Sequence, residues 1–364
     1  MDIDARVEAW ASLQLLPGLG TRTLVALLKA FGGPADVLRA SRASLAKLIP
    51  IEIAATIERG PDRSLLERTL SWLAEPRHGL IAWDDPQYPP ALLTIADPPP
   101  AFYYAGRREL LGRPALAVVG SRNATPQGID NAEAFAATLS AAGLTIVSGL
   151  ALGIDAAAHR GGLTGVGSSI GVVGTGLDRI YPARNRDLAQ RLTDSGGLLS
   201  EFALTTLPLP ANFPLRNRVI SGMARGVLVV EATLNSGSLI TARLAVEQGR
   251  EVFAIPGSIH SPFSKGSHRL IKEGAKLVER AQDVLEELRF AVPGAAADAP
   301  ASDAQPLEGN LGIVLAALGH DPLGMDALTE RTGLASEIVS VALLELELGG
   351  HVAALPGGAY QRVR

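Results

Sequence analysis

Leu116-Ala117-Val118-Val119-Gly120-Ser121-Arg122-Asn123-Ala124-Thr125-Pro126 is the stretch on which the fold turns. An apolar run ends in a glycine turn, and the turn ends in Thr-Pro, a pair that caps and opens a helix. The unit recurs. Further apolar, strand-like runs begin near Thr145, Ser169, Gly197, Val227, Glu251 and Lys276, and each pair brackets a segment compatible with a helix. Continuous apolar strands alternating with helices predict repeated βα units, hence a mostly parallel sheet covered on both faces. The expected fold class is α/β, a Rossmann-like doubly wound sheet that binds ligands at the carboxyl ends of its strands.

Outward from this core, residues 76–290 form one expected domain, with Pro76 to Gly112 a proline-rich connector that adds a strand at Phe102 to Ala105. Residues 1–75 show helical spacing over Ala9 to Leu16, Thr21 to Phe31 and Pro34 to Ala40, cut by Pro17-Gly18 and Gly32-Gly33-Pro34. LPGLGTRTLVALLKAFGG, from Leu16, resembles a helix-hairpin-helix, but balanced charge favours a small helical interaction domain. Residues 291–309, dominated by Ala, Pro and Asp, read as a flexible linker. Residues 310–364 read as three helices and a hairpin (His351 to Val363), a winged-helix pattern. Its third helix, Ala335 to Leu348, holds Glu337, Glu345 and Glu347 and no Lys or Arg, which predicts a protein contact or a spacer, not a DNA reader.

At 364 residues the chain is long enough for two or three domains, and 47% hydrophobic content with 4% aromatics describes a well-packed soluble protein. It has no cysteine, so disulfides and thiolate metal sites are excluded. No apolar run approaches the length of a membrane span and MDIDARVEAW carries no signal-peptide pattern, so no membrane partner and a cytoplasmic location are expected. Net charge is −4, yet Ala211 to Arg280 holds ten Lys/Arg against five Asp/Glu, a balance of +5. From Asn310 onward three Lys/Arg face six Asp/Glu, a balance of −3. A basic segment in an acidic chain points to a localised anion site.

The turns select the chemistry. A dinucleotide site wants three glycines after the first strand and an acid after the second; here stand one glycine and Ser148-Gly149, so NAD is not expected. No P-loop occurs, no nucleophile elbow is present, and the six histidines show no metal spacing. Asp155 and His159 lie on one helical face and read as structural. No catalysis, cofactor or metal is therefore expected. Arg122 puts a fixed positive charge at the first turn, next to Ser121. GTGLDRIYPARN, from Gly174, repeats the pattern of small residues followed by Arg184 and Asn185. Asn212-Phe213-Pro214-Leu215-Arg216-Asn217-Arg218 gathers amides, two arginines and an aromatic placed in a polar loop, suited to stacking a base. Arg216 and Arg218 diverge on a helix start, so one can touch phosphate while the other pairs internally. Ser236-Gly237-Ser238 runs directly onto a helix, whose first N–H groups favour anions, and Lys265 extends the basic surface with His268, Arg269 and Lys272.

In this order, GSRNAT, SGLALGID, GTGLDRIYPARN, NFPLRNR and EATLNSGSLITARLAVEQGREVFAIPG closely resemble the DNA-processing protein A family (DprA, also called Smf) across roughly Tyr88 to Leu288. The resemblance implies binding of single-stranded DNA, dimerisation through the Rossmann-like domain and loading of the RecA recombinase in natural transformation. It also implies a SAM-like helical domain at the start and places DNA contacts on Arg122, the YPARN turn, Phe213 and Arg216-Asn217-Arg218. Gln127 stands where the family often has an aromatic, and Leu215 where a second basic residue is common. The rival reading is a nucleoside-monophosphate hydrolase of similar fold, for which Glu231 and Glu247 are the nearby carboxylates and lack an evident partner.

Overall fold

The computed structural model describes residues 4–290, 307–319, 322–355 and 357–363, so the expected linker, apart from 307–309, lies outside the described residues. Six helices come first: α1 (Ala5–Gln14), α2 (Thr21–Phe31), α3 (Pro34–Arg39), α4 (Arg42–Leu45), α5 (Ile51–Arg59) and α6 (Arg63–Leu73). Local chemistry marks their starts. The Asp4 carboxylate accepts from the Arg6 N–H, and Asp62 accepts from the Leu65 N–H at 2.8 Å.

Two antiparallel strands follow, β1 (His78–Ala82) and β2 (Ala101–Gly106). The second is the strand expected in the connector; the first was not anticipated. The repeated units then run β3 (Ala115–Val119), α7 (Pro126–Ala141), β4 (Thr145–Ser148), α8 (Ile154–Gly162), β5 (Ser169–Val172), α9 (Arg186–Ser195) and β6 (Gly197–Ser200). They continue with α10 (Asn212–Met223), β7 (Gly226–Val229), α11 (Ser238–Glu247), β8 (Glu251–Ala254), α12 (Lys265–Lys272), β9 (Lys276–Leu277) and α13 (Ala281–Glu287). All seven expected strands are present.

They form one sheet in the order β1-β2-β6-β5-β4-β3-β7-β8-β9, parallel from β6 to β9 with the antiparallel pair at one edge. Chain order reverses between β3 and β7, the switch point at which an open α/β sheet presents its crevice. Strands β3 to β7 are buried along their length, which is why they read as unbroken apolar runs. One face packs on α7, α8 and α13 through Leu116, Val118, Ile146 and Leu228; the other packs on α10 and α11 through Val119, Val147, Ile220 and Val229. The first six helices share a core with the antiparallel edge, where Trp10, Leu27 and Ile57 meet Tyr103 and Leu192.

The C-terminal unit holds α14 (Gly309–Leu318), β10 (Leu323–Gly324), α15 (Met325–Thr332), α16 (Ser336–Leu348), β11 (Val352–Leu355) and β12 (Ala359–Arg362). The short β10, absent from the reading of three helices and a hairpin, pairs with β12 and completes a three-stranded sheet. Val314, Leu318, Leu328, Val339 and Leu343 fill its core, the arrangement of a winged helix. The Gln361 amide donates to Gln127 Oε1 at 3.0 Å, so Gln127 is used here as a contact with β12.

Candidate nucleic-acid interface

A cleft of about 660 Å³ opens at the switch point, walled by the ends of β3 and β7 and the first turns of α10 and α11. Each wall is built locally. Thr125 caps α7, its hydroxyl accepting from the Gly128 N–H at 3.0 Å ahead of Pro126. Thr125 also donates from its own hydroxyl (2.6 Å) and N–H (3.0 Å) to Glu231, which ties the turn after β3 to the turn after β7. The Ser121 N–H donates to the Glu231 carbonyl at 2.8 Å, and the Ser121 hydroxyl accepts from the Asn123 N–H at 3.2 Å. This frame leaves Arg122 exposed, and among the described residues it makes no salt bridge. Its guanidinium lies 5.7 Å from the centre of the Phe213 ring, within cation–π range.

Phe213 departs from its expected place. It sits in the first turn of α10, not in a loop, because Pro214 is also in that turn, where a missing N–H costs nothing. The ring packs against Gly174 and is only partly exposed. Tyr181, the first residue of the YPARN turn, is 48% exposed, lines the cleft and lies 5.8 Å from Phe213 at an interplanar angle of 43°, a ring pairing not anticipated from the sequence. Two rings and one guanidinium thus form a single apolar, cationic ledge.

Arg216 forms the floor. It is 5% exposed, its Nη1 donates to the Val172 carbonyl, and its buried Nε has no partner among the described residues. Burial brings the guanidinium down to about 10, Asp155 pulls it back up, and Arg122 adds to the depression; it stays charged at neutral pH. Gly149 makes this possible, because a Cβ there would collide with the guanidinium. Opposite, Ser236, Gly237 and Ser238 open α11, which has no side-chain cap; the two serine hydroxyls are 2.7 Å apart. Ser121, Arg122, Phe213, Arg216, Asn217 and the Ser-Gly-Ser turn therefore all line one cleft.

The remaining candidates do not. Arg218 points the other way: its Nη2 donates to both Glu201 oxygens, at 2.6 and 2.7 Å, and its Nε is 3.4 Å from Asp97. Two positions after Arg216 on a helix, it faces a different wall. Asn212 donates to the Gly174 carbonyl, and Asn185 to those of Leu150 and Ala151, so both amides brace loops. Lys265 donates to the Ile259 carbonyl away from the cleft, and Arg184 is exposed beside Tyr181 on the same loop.

The Asp155–His159 pair is structural. Asp155 Oδ2 accepts from the Gly149 and Ala151 N–H groups, and burial raises its carboxyl against the pull of Arg216. His159 Nε2 accepts from the Leu150 N–H, leaving Nδ1 to donate to Ser169 Oγ, whose own proton goes to the Ile146 carbonyl. Both ring nitrogens are committed, and burial, with Arg216 nearby, lowers the imidazole to about 3. Asp155 is the one carboxylate among the described residues lining the cleft; Glu231 is held by Thr125, with burial raising it, and Glu247 is exposed at the far end of α11.

A family model described as DNA recombination-mediator protein A matches residues 79–289, and one for the DprA winged helix domain matches residues 297–358. Protein Smf of Escherichia coli (strain K12) is 47% identical over 308 residues, covering 83% of this chain and 82% of that one. DNA processing protein DprA of Streptococcus pneumoniae is 49% identical over 206 residues, 57% of this chain and 73% of that one. The X-ray structure of DprA from Streptococcus pneumoniae aligns at a TM-score of 0.69 and 38% identity over 79% of this chain and 99% of that one. A Helicobacter pylori DNA processing protein A, whose structure concerns a unique single-stranded DNA binding mode, aligns at 0.54 and 30% identity over 58% and 96%.

Proposed function

The chain belongs to the DNA recombination-mediator protein A family, and from that premise we propose that its switch-point cleft binds single-stranded DNA and that the protein loads the RecA recombinase onto the bound strand. The observation that carries this reading is the ledge of Arg122, Phe213 and Tyr181 above the buried charge of Arg216. A phosphodiester settles on Arg122, Arg216 and the open start of α11, while an unstacked base lies on the rings. The Helicobacter pylori relative, described as binding single-stranded DNA, supports the ligand class. The role extends to homologous recombination and natural transformation in the cytoplasm, and it needs neither a catalytic step nor a cofactor.

The protein acts as a homodimer. A groove of about 540 Å³ between α11 and α12, with Leu239, Ile240 and Val246 in its lining, lies on the β9 side of the sheet, where Leu277 is exposed. A groove that sets apolar side chains among charges of both signs (Arg243, Arg269, Glu251, Glu273), beside an open sheet edge, suits a two-fold, self-complementary contact.

Fluorescence anisotropy with matched single- and double-stranded oligonucleotides tests the ligand: the helix a winged-helix unit would lay in a major groove, α16, has no Lys or Arg, so a clear preference for the single strand is expected, and equal affinity at one salt concentration overturns the reading. RecA filament formation on protein-coated single strands, with and without this chain, tests delivery. The hydrolase alternative predicts free base from nucleoside monophosphates, whereas the lone cleft carboxylate and the committed imidazole support no release.

A further inference from the structure

In α16 the buried residues Val339, Ala342, Leu343 and Leu346 account for the side that closes the winged-helix core. The other side is apolar as well. Ile338 (39% exposed), Val341 (58%), Leu344 (58%) and Leu348 (81%) recur at helical spacing and form a stripe facing solvent. Glu337 and Glu345 lie on the same face, and α16 carries no Lys or Arg. Ile338 and Val341 of the stripe line a shallow groove of about 370 Å³ with Leu311 of α14 and the two carboxylates, and Leu344 and Leu348 continue the apolar face beyond it. The contact of β12 with Gln127 uses the sheet of the unit and leaves this groove open.

A winged helix normally lays this helix on DNA, and here two carboxylates beside four apolar side chains would repel a phosphate backbone and offer it no donor. A second copy of the same face fares no better, because a two-fold axis through it would set Glu337 and Glu345 against their own images. The charge that fits is positive, and the apolar stripe fits a helix laid lengthwise. We propose that this groove is a docking site for a basic amphipathic helix of a partner protein, with apolar anchors entering between α14 and α16 and Lys or Arg pairing with Glu337 and Glu345. The unit then serves as a recruitment arm for the DNA-binding cleft, and this assignment does not depend on what the cleft holds.

The test uses the full chain and a labelled synthetic probe of about 16 residues with Leu at i, i+4, i+7 and i+11 and Lys on its flanks, beside a counterpart with Glu in place of Lys. Anisotropy should show saturable one-to-one binding of the Lys probe, weakened by salt, and at least tenfold weaker binding of the Glu probe. Val341→Asp and Glu345→Lys should each reduce Lys-probe binding tenfold or more; both sites are exposed, and thermal unfolding checks that each variant folds. Should Val341→Asp fold poorly, Glu337→Lys supplies the same reading. Lys-probe binding that survives these substitutions is general attraction to a chain of net charge −4 and overturns the proposal, as does equal binding of the two probes.

Discussion

Arg216 and Arg218 show how far two positions on a helix separate two roles. Arg218 with Glu201 is a nearly enclosed pair, the side chains 11% and 14% exposed. Removing one partner strands the other, so Arg218→Ala should lower stability by about 3 kcal/mol in thermal or urea unfolding. The salt dependence of DNA binding by the folded fraction should not change. Arg122→Ala should do the opposite: unfolding as in the parent, with the slope of log affinity against log salt reduced by about 0.7 for one lost single-strand phosphate contact. Tyr181→Ala should cost about 1–3 kcal/mol of binding with the slope intact, and Tyr181→Phe should restore most of it. His159 supplies a pH signature. Its folded value near 3 lies below the unfolded 6.5, so the unfolded chain takes up a proton that the native chain refuses. Stability therefore falls as pH drops through 6.5, by about 2 kcal/mol on reaching pH 5 from this residue alone, and His159→Gln should remove that part of the slope in unfolding measured at several pH values.

At the scale of elements, α11 takes part in two surfaces, its start in the cleft and its flank in the groove proposed for self-association. Val246 is 66% exposed on that flank. Val246→Glu should halve the mass seen by light scattering while leaving the thermal midpoint near its parent value, and an unchanged mass would move the dimer contact elsewhere. The elements themselves were unevenly legible. Parallel strands buried on both faces announce themselves as apolar runs, and Thr125-Pro126 announces a helix start, so the repeated units could be read directly. β10 spans only Leu323–Gly324 and carries no period, and β1 gains its meaning from pairing with β2. Phe213 was misplaced because Asn, Pro and Arg around an aromatic look like a loop, although proline is at home in a first helical turn. The pairing of Tyr181, in the YPARN turn, with Phe213 was illegible for a different reason. The second ring is on α10, and only the fold brings the loop after β5 to that helix.

On the scale of the whole molecule, the basic balance of Ala211 to Arg280 and the acidic balance after Asn310 divide the labour. A chain ending at Phe290 should keep its single-strand affinity within a few-fold in anisotropy titrations, whereas a hundredfold loss would mean that the winged helix holds DNA. Within the retained part, the turn after β3 and the turn after β7 belong to the two halves of the doubly wound sheet, and Glu231 with Thr125 already laces them together. A strand lying across Arg122 on one side and Ser238 on the other becomes a second lace. Its grip is then felt in the centre of the sheet, where β3 and β7 meet: the amides of Ser121 and Val230, which bond across from one to the other, should exchange with deuterium more slowly once the cleft is filled. Oligonucleotide at a hundred times its Kd should add about 2.7 kcal/mol to the unfolding free energy, which makes the melting temperature a gauge of cleft occupancy.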